Sequence, residues 1–216
     1  MQTGLFDVVM KAAILSSIIP MFALIIRKGR VTNFIFVTLF IYCGLSLITD
    51  VTCYVFAING IGIDLIIQIY TVAIFILILE LYKFEINTKA LRKVLSWLAL
   101  SFIGVALYFP LFENGIYQIN PEPHVILSII VVFLSSYYLY DIFIKLEIPR
   151  ITDHYFFWIN SAFLIYFGST FFIVSFEQVL VQSDSKLDLM LWPIQHVSAI
   201  IFNLIIAKGI WTMKRV

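Results

Sequence analysis

Long, continuous runs of apolar residues, separated by short polar breaks, dominate the pattern along the chain. A helix that crosses a bilayer needs about 20 predominantly apolar residues, and seven runs reach that length. The strands of a membrane β-barrel would instead alternate polar and apolar residues. The pattern therefore predicts an all-α membrane protein, a single seven-helix transmembrane domain over residues 1–216. The predicted spans, numbered 1 to 7 in chain order, are Leu5–Ile26, Asn33–Ala57, Gly62–Tyr82, Val94–Phe112, His124–Leu146, His154–Val181 and Leu189–Met213.

The distribution of lysine and arginine predicts the orientation of these spans. Eleven basic residues lie in or beside loops 1–2, 3–4 and 5–6 and the C-terminal tail, whereas the loops on the opposite side carry only Lys186. Short cytoplasmic loops are enriched in basic residues. We therefore expect the N-terminus outside and the C-terminus in the cytoplasm.

The composition agrees with a lipid environment. Hydrophobic residues make up 62% of the chain and charged residues 12%, whereas soluble domains have about half and about a quarter. The net charge of +1 leaves no basic domain that could grip nucleic-acid phosphates, so no nucleic-acid partner is expected. Cys43 and Cys53 are ten residues apart in one predicted helix. That separation is roughly 15 Å of rise, too long for a disulfide between them.

Short sequence similarities suggest an internal repeat. Residues 15–17 (Leu-Ser-Ser) recur as residues 134–136, and residues 41–44 (Ile-Tyr-Cys-Gly) resemble residues 165–168 (Ile-Tyr-Phe-Gly). These matches predict parallel repeats of spans 1–3 and 5–7, with span 4 as the linker that inverts the chain. Chance similarity between apolar segments is the alternative explanation.

This three-one-three plan resembles that of SWEET-type sugar carriers and of microbial rhodopsins. The carriers use hinge prolines in four spans, and only Pro20 corresponds here. The rhodopsins attach retinal to a lysine midway along span 7, where this chain has none, because Lys208 lies near the cytoplasmic end. We therefore expect no retinal and no other cofactor. The chain also resembles small bacterial seven-helix membrane proteins, some of which accompany sensor kinases, and this resemblance implies a bacterial cytoplasmic (inner) membrane.

Polar residues inside predicted spans are the main functional signal, because ionisable groups are costly in a membrane. Four spans place one polar group at a similar depth, roughly 10 Å below the outer surface, and further polar groups lie beside or above them. The predicted ligand-binding residues are Lys11, Asp50, Asp64, Gln68, Glu177, Gln195 and His196. They indicate either an outward-facing pocket for a small ligand or ion, or a polar network that fixes helix packing. In the packing interpretation, Lys11 pairs with Asp7 or Asp50.

A metal site would draw on part of this set. The candidate ligands are Asp50, Asp64, Glu177 and His196. No HxxxH or HExxH spacing accompanies them, and the chain has no GxSxG motif. We predict no catalytic residues, and a metal-dependent intramembrane hydrolase is the enzymatic alternative.

A second group of polar residues lies near the predicted cytoplasmic side. Its members are Glu80, Asp141, Asn160, Asn203 and Lys208. Two acids and a lysine would suit a salt-bridged latch that changes state in a receptor. Side chains at helix ends that extend toward the membrane surface are the alternative.

These observations together favour a receptor-like or sensory module that binds a small ligand or ion and acts through a separate partner. The basic loops 1–2 and 3–4 are the expected contact surface for a membrane or cytoplasmic signalling protein, and they also suit membrane lipid headgroups. A small-solute or proton-coupled carrier is the first alternative. A structural subunit of a membrane complex is the second.

Overall fold

The computed structural model describes a helical protein. Its backbone is described for residues 2–27, 34–86, 88–113, 115, 121–145, 150–180 and 185–213, and its side chains for the same ranges except residues 2–6, 113, 145, 177–180 and 185–190. These ranges contain no strand. Their α-helices are α1 (Gln2–Ser16), α2 (Ile18–Arg27), α3 (Phe34–Ile58), α4 (Asp64–Glu85), α5 (Lys89–Tyr108), α6 (Pro121–Lys145), α7 (Tyr155–Leu180) and α8 (Ser185–Thr212).

Length and hydropathy make most of these helices suitable for crossing a membrane. Seven stretches of the described chain qualify: Asp7–Arg27, Phe34–Ile58, Asp64–Glu85, Lys89–Phe112, Pro121–Ile144, Tyr155–Phe176 and Leu191–Thr212. The predicted all-α class with seven spans is thereby confirmed. The orientation of the spans and the repeat stay predictions.

Large apolar side chains are exposed along the helices. Phe133 is 71% exposed, Leu100 64% and Phe172 58%. Water-soluble proteins rarely expose contiguous apolar surface of this kind, whereas lipid tails accept it without cost. The exposed apolar faces are therefore those of an integral membrane protein.

Span 1 is broken into two helices at Ser17, where the sequence predicts one continuous helix. Pro20 has no N–H, so the carbonyl of Ser16 lacks its usual donor four residues later. The hydroxyls of Ser16 and Ser17 donate to the carbonyls of Ala13 and Ile14, at 2.6 Å each. Such side-chain bonds to the preceding turn bend helices, so the proline and the serine pair explain the break.

The described residues group into two compact units. The central unit is Asn33–Leu127, and the terminal unit is Met1–Thr32 together with Ser128–Val216. In the central unit α4 contacts both α3 and α5. Its buried positions recur every three or four residues, as expected for one packed face. The positions with this spacing are Thr71, Ile74, Phe75, Ile78, Leu79 and Tyr82, and Leu81 is buried as well.

Helix α8 lies at the centre of the terminal unit, where it contacts α7, α1 and α2. Gly209 permits the close approach to α7, because a Cβ atom there would lie 3.1 Å from Ile159 Cγ1 and 3.2 Å from the backbone oxygen of Tyr155. At the end of α8, the Arg27 guanidinium donates to the Met213 carbonyl and lies 5.3 Å from the centre of the Trp211 ring. These contacts attach α2 to the last turn of α8.

Candidate functional site

Asp50 is the acidic side chain deepest within α3. It lies eight residues before Ile58, the last residue of that helix, which corresponds to roughly 12 Å of rise. The side chain is half-buried. Among the residues that the structure describes, none donates a hydrogen bond to its carboxylate or forms an ion pair with it. Asp50 is thus a carboxylate in an apolar span without a protein partner in the described chain.

Ser46 and Tyr70 provide hydroxyl groups on the same part of the central unit. The Tyr70 hydroxyl on α4 donates to Ser46 Oγ on α3 at 3.2 Å. Ser46 precedes Asp50 by four residues, a spacing that places both side chains on one face of a helix. Ser46 and Tyr70 were not among the predicted ligand-binding residues, although the spacing of four between Ser46 and Asp50 is visible in the sequence.

Asp64 and Gln68 lie on the face of α4 that leads to Thr71. The three residues follow the spacing of four and then three that keeps side chains on one face. Thr71 Oγ1 donates to the carbonyl of Ile67 at 2.8 Å and lies 3.3 Å from His124 Nδ1 on α6. With the threonine hydrogen on that carbonyl, the contact fits the His124 tautomer that carries its proton on Nδ1. The face of α4 that carries Asp64, Gln68 and Thr71 therefore contacts the first turn of α6.

Glu122 and Gln195 each have a side-chain oxygen that is buried and has no hydrogen-bond partner in the described part of the chain. Glu122 lies in the first turn of α6, where the helix dipole favours a negative charge. Gln195 lies in α8, and its Nε2 donates to Thr170 Oγ1 at 2.8 Å. Only Gln195 was among the predicted ligand-binding residues.

Lys11 is in the terminal unit and pairs with Asp7 at 2.7 Å. The two residues are four apart on α1, and their side chains are 51% and 46% exposed. Of the two acids that the packing interpretation offered, Asp7 or Asp50, Lys11 thus pairs with Asp7, and the pair is exposed and lies within one helix. His196, also in the terminal unit, is half-buried on α8. The Glu177 side chain lies outside the described residues.

Two buried asparagines of the predicted inner group connect helices of the terminal unit. The Asn203 side-chain amide on α8 donates to Ser16 Oγ at 2.8 Å, and the Asn160 amide on α7 donates to the carbonyl of Ser135 on α6 at 3.1 Å. Asn160 has no exposed surface, and Asn203 is 8% exposed. Both amides therefore serve helix packing.

The charged residues of the inner group have local contacts. Glu80 forms an ion pair with Lys83, three residues later on α4, at 2.7 Å. The Lys208 ammonium lies 5.8 Å from the centre of the Trp158 ring, which is within the range of a cation–π contact. Asp141 is half-buried on α6. Within the described chain, Lys208 forms no ion pair.

A metal ion would need several of these side chains close together. No three His, Cys, Asp or Glu side chains come together in a group that could hold a metal, as far as the described residues extend. Of the four candidate ligands, Asp50 and Asp64 belong to the central unit and His196 to the terminal unit. A divalent ion usually requires several such ligands.

Comparison with known proteins identified no relative of this chain. No family model matches the chain, and no similar curated protein or solved structure was found.

Proposed function

We propose that the protein is a receptor-like or sensory membrane module that binds a small ligand or ion within its spans and acts through a separate partner. The observation that carries this proposal is the Asp50 carboxylate. It lies in an apolar span, and no described residue neutralises it or donates a hydrogen bond to it.

The energetic cost of such a group supports a role in binding. An aspartate at the centre of a membrane helix costs about 2.5–3.5 kcal/mol on insertion scales. Other polar groups in the described spans offset such a cost through partners, as Asn160 and Asn203 do. Asp50 has no comparable contact, so packing gives no reason for an acid at this position. A bound cationic group would supply the missing charge.

The use of the buried amides favours a binding module over a carrier. A carrier requires polar groups that line a path across the membrane. In the terminal unit, Asn203 and Asn160 are instead engaged with Ser16 and with the Ser135 backbone. Their hydrogen bonds hold helices of the terminal unit together, so these two amides serve packing there.

The proposed partner would contact the basic residues at the start of α5. Lys89, Arg92 and Lys93 are exposed, and Arg92 Nε donates to the carbonyl of Ile86 at 2.9 Å. Basic groups at this place would attract an acidic protein surface and also anionic lipid headgroups. The basic residues Lys28 and Arg30 of loop 1–2 lie outside the described residues.

Native mass spectrometry of the protein released from mild detergent tests the proposal. The variants are Asp50→Asn and, as a matched control with the same change of charge, Asp153→Asn. Asp153 is exposed in the short turn Ile151–Asp153. We expect a bound mass on the wild type and on the control that is lost in Asp50→Asn. An identical spectrum for all three proteins, with or without a bound mass, would contradict the role of Asp50.

A further inference from the structure

The relation between Asp50 and Ser46 suggests the chemical class of the bound group. The two residues are separated by one helical turn, roughly 6 Å of rise along α3. Side chains on a helix tilt toward its N-terminus, so the Asp50 carboxylate extends toward the turn that carries Ser46. The face of α3 therefore offers a carboxylate and a hydroxyl oxygen near one another.

The hydroxyl of Ser46 is used differently from those of Thr38 and Thr52 on the same helix. Thr38 and Thr52 donate to backbone carbonyls one turn earlier, at 2.9 and 2.7 Å. Ser46 instead accepts a hydrogen bond from Tyr70, and its own hydrogen has no acceptor among the described residues. The Tyr70 contact thus holds the Ser46 oxygen in place without a bond to its own helix.

The single negative charge limits which ion would be stable there. One carboxylate balances one positive charge, and the described residues provide no group of three His, Cys, Asp or Glu side chains. A divalent ion would leave a net positive charge in an apolar span, at high cost. A monovalent ion would give a neutral pair, and oxygen atoms are the ligands that hard cations prefer.

We propose that Asp50 and Ser46 form a site for one small monovalent cation, with Tyr70 as the residue that positions the Ser46 oxygen. This inference rests on the proposed function and names the class of its ligand. The Asp50 carboxylate supplies the charge and Ser46 Oγ supplies a second oxygen ligand from the same helix.

The test measures thermal unfolding in mild detergent with NaCl and, at equal ionic strength, with choline chloride. Choline is too large for two oxygens one turn apart, so the comparison separates site binding from general salt effects. We expect the unfolding midpoint of the wild type to be several degrees higher in NaCl, because a ligand that binds only the folded state stabilises it. Asp50→Asn is expected to remove this difference.

Two hydroxyl variants keep the test decisive even if Asp50→Asn fails to fold. Ser46→Ala is expected to shift the midpoint of the sodium titration to at least several-fold higher concentration. Thr52→Val is the matched control, because the Thr52 hydroxyl on the same helix is used on the carbonyl of Ile48. Its sodium dependence should equal that of the wild type.

Two results would overturn the inference. One is an equal midpoint in NaCl and choline chloride for the wild type, and the other is an unchanged sodium effect in Ser46→Ala. If sodium has no effect but native mass spectrometry finds an organic mass that depends on Asp50, the cation site is wrong and the receptor proposal stands. If neither the sodium effect on the unfolding midpoint nor a bound mass depends on Asp50, the cation site and the receptor proposal are both wrong.

Discussion

The side-chain amide of Asn203 donates a 2.8 Å hydrogen bond to Ser16 Oγ, which joins α8 to the break between α1 and α2. Both side chains are buried, with 8% and 6% of their surface exposed. Ser16 also donates to the carbonyl of Ala13. The serine hydroxyl therefore both accepts from α8 and donates to its own bent helix.

Replacement of Asn203 by alanine is expected to destabilise the protein by about 1–3 kcal/mol, because the Ser16 oxygen loses its donor in a buried place. Asn59→Ala is the control. Asn59 is exposed after α3, and its amide donates to the carbonyl of Val55. Thermal unfolding in detergent should show a clearly lower midpoint for Asn203→Ala only. Equal midpoints for the two variants would mean that the Asn203 contact contributes little.

Gly209→Ala and Gly104→Ala should have opposite effects. At Gly209 in α8, an added Cβ would approach Ile159 Cγ1 to 3.1 Å, whereas at Gly104 in α5 nothing lies within 4 Å. Alanine in an open helix position stabilises by about 0.5–1 kcal/mol relative to glycine, but a forced separation of α7 and α8 loses packing. We expect a lower unfolding midpoint for Gly209→Ala and an equal or higher one for Gly104→Ala. A higher unfolding midpoint for both variants would show that α7 accommodates the added Cβ at position 209 without cost.

Gln195→Met should change stability much less than Asn203→Ala does. The variant loses the hydrogen bond to Thr170, but it also removes the buried Gln195 Oε1, which has no partner in the described chain. The Thr170 hydroxyl keeps its own bond to the carbonyl of Tyr166. Removal of an unsatisfied buried group offsets the loss of one bond, so a change within about 1 kcal/mol is expected. Denaturation of the two variants in parallel measures the difference in stability. A large loss of stability for Gln195→Met would indicate that Gln195 Oε1 accepts a hydrogen bond in the membrane.

The candidate site was predictable from the sequence only as a set of residue types. Asp50 was identified because a charge in an apolar run is visible without any structure. Ser46 and Tyr70 were not identified, because a hydroxyl in a helix usually bonds its own backbone. Only the fold brings Tyr70 to Ser46. The depth predicted for Lys11 stays a prediction, whereas its pair with Asp7 is one of the two that the packing interpretation named.

The sequence by itself determined that the chain has seven apolar helical spans, because the cost of leaving a backbone unpaired in lipid favours helix in a run of about 20 apolar residues. This property is local, so it can be read one segment at a time. The tertiary structure decided which polar groups meet: Asn203 with Ser16, Asn160 with the Ser135 carbonyl, and Asp50 with no described partner. Those pairings depend on how each helix is rotated about its axis and on which helix lies beside it. Uniformly apolar segments carry almost no information about rotation, since lipid and protein neighbours are equally apolar.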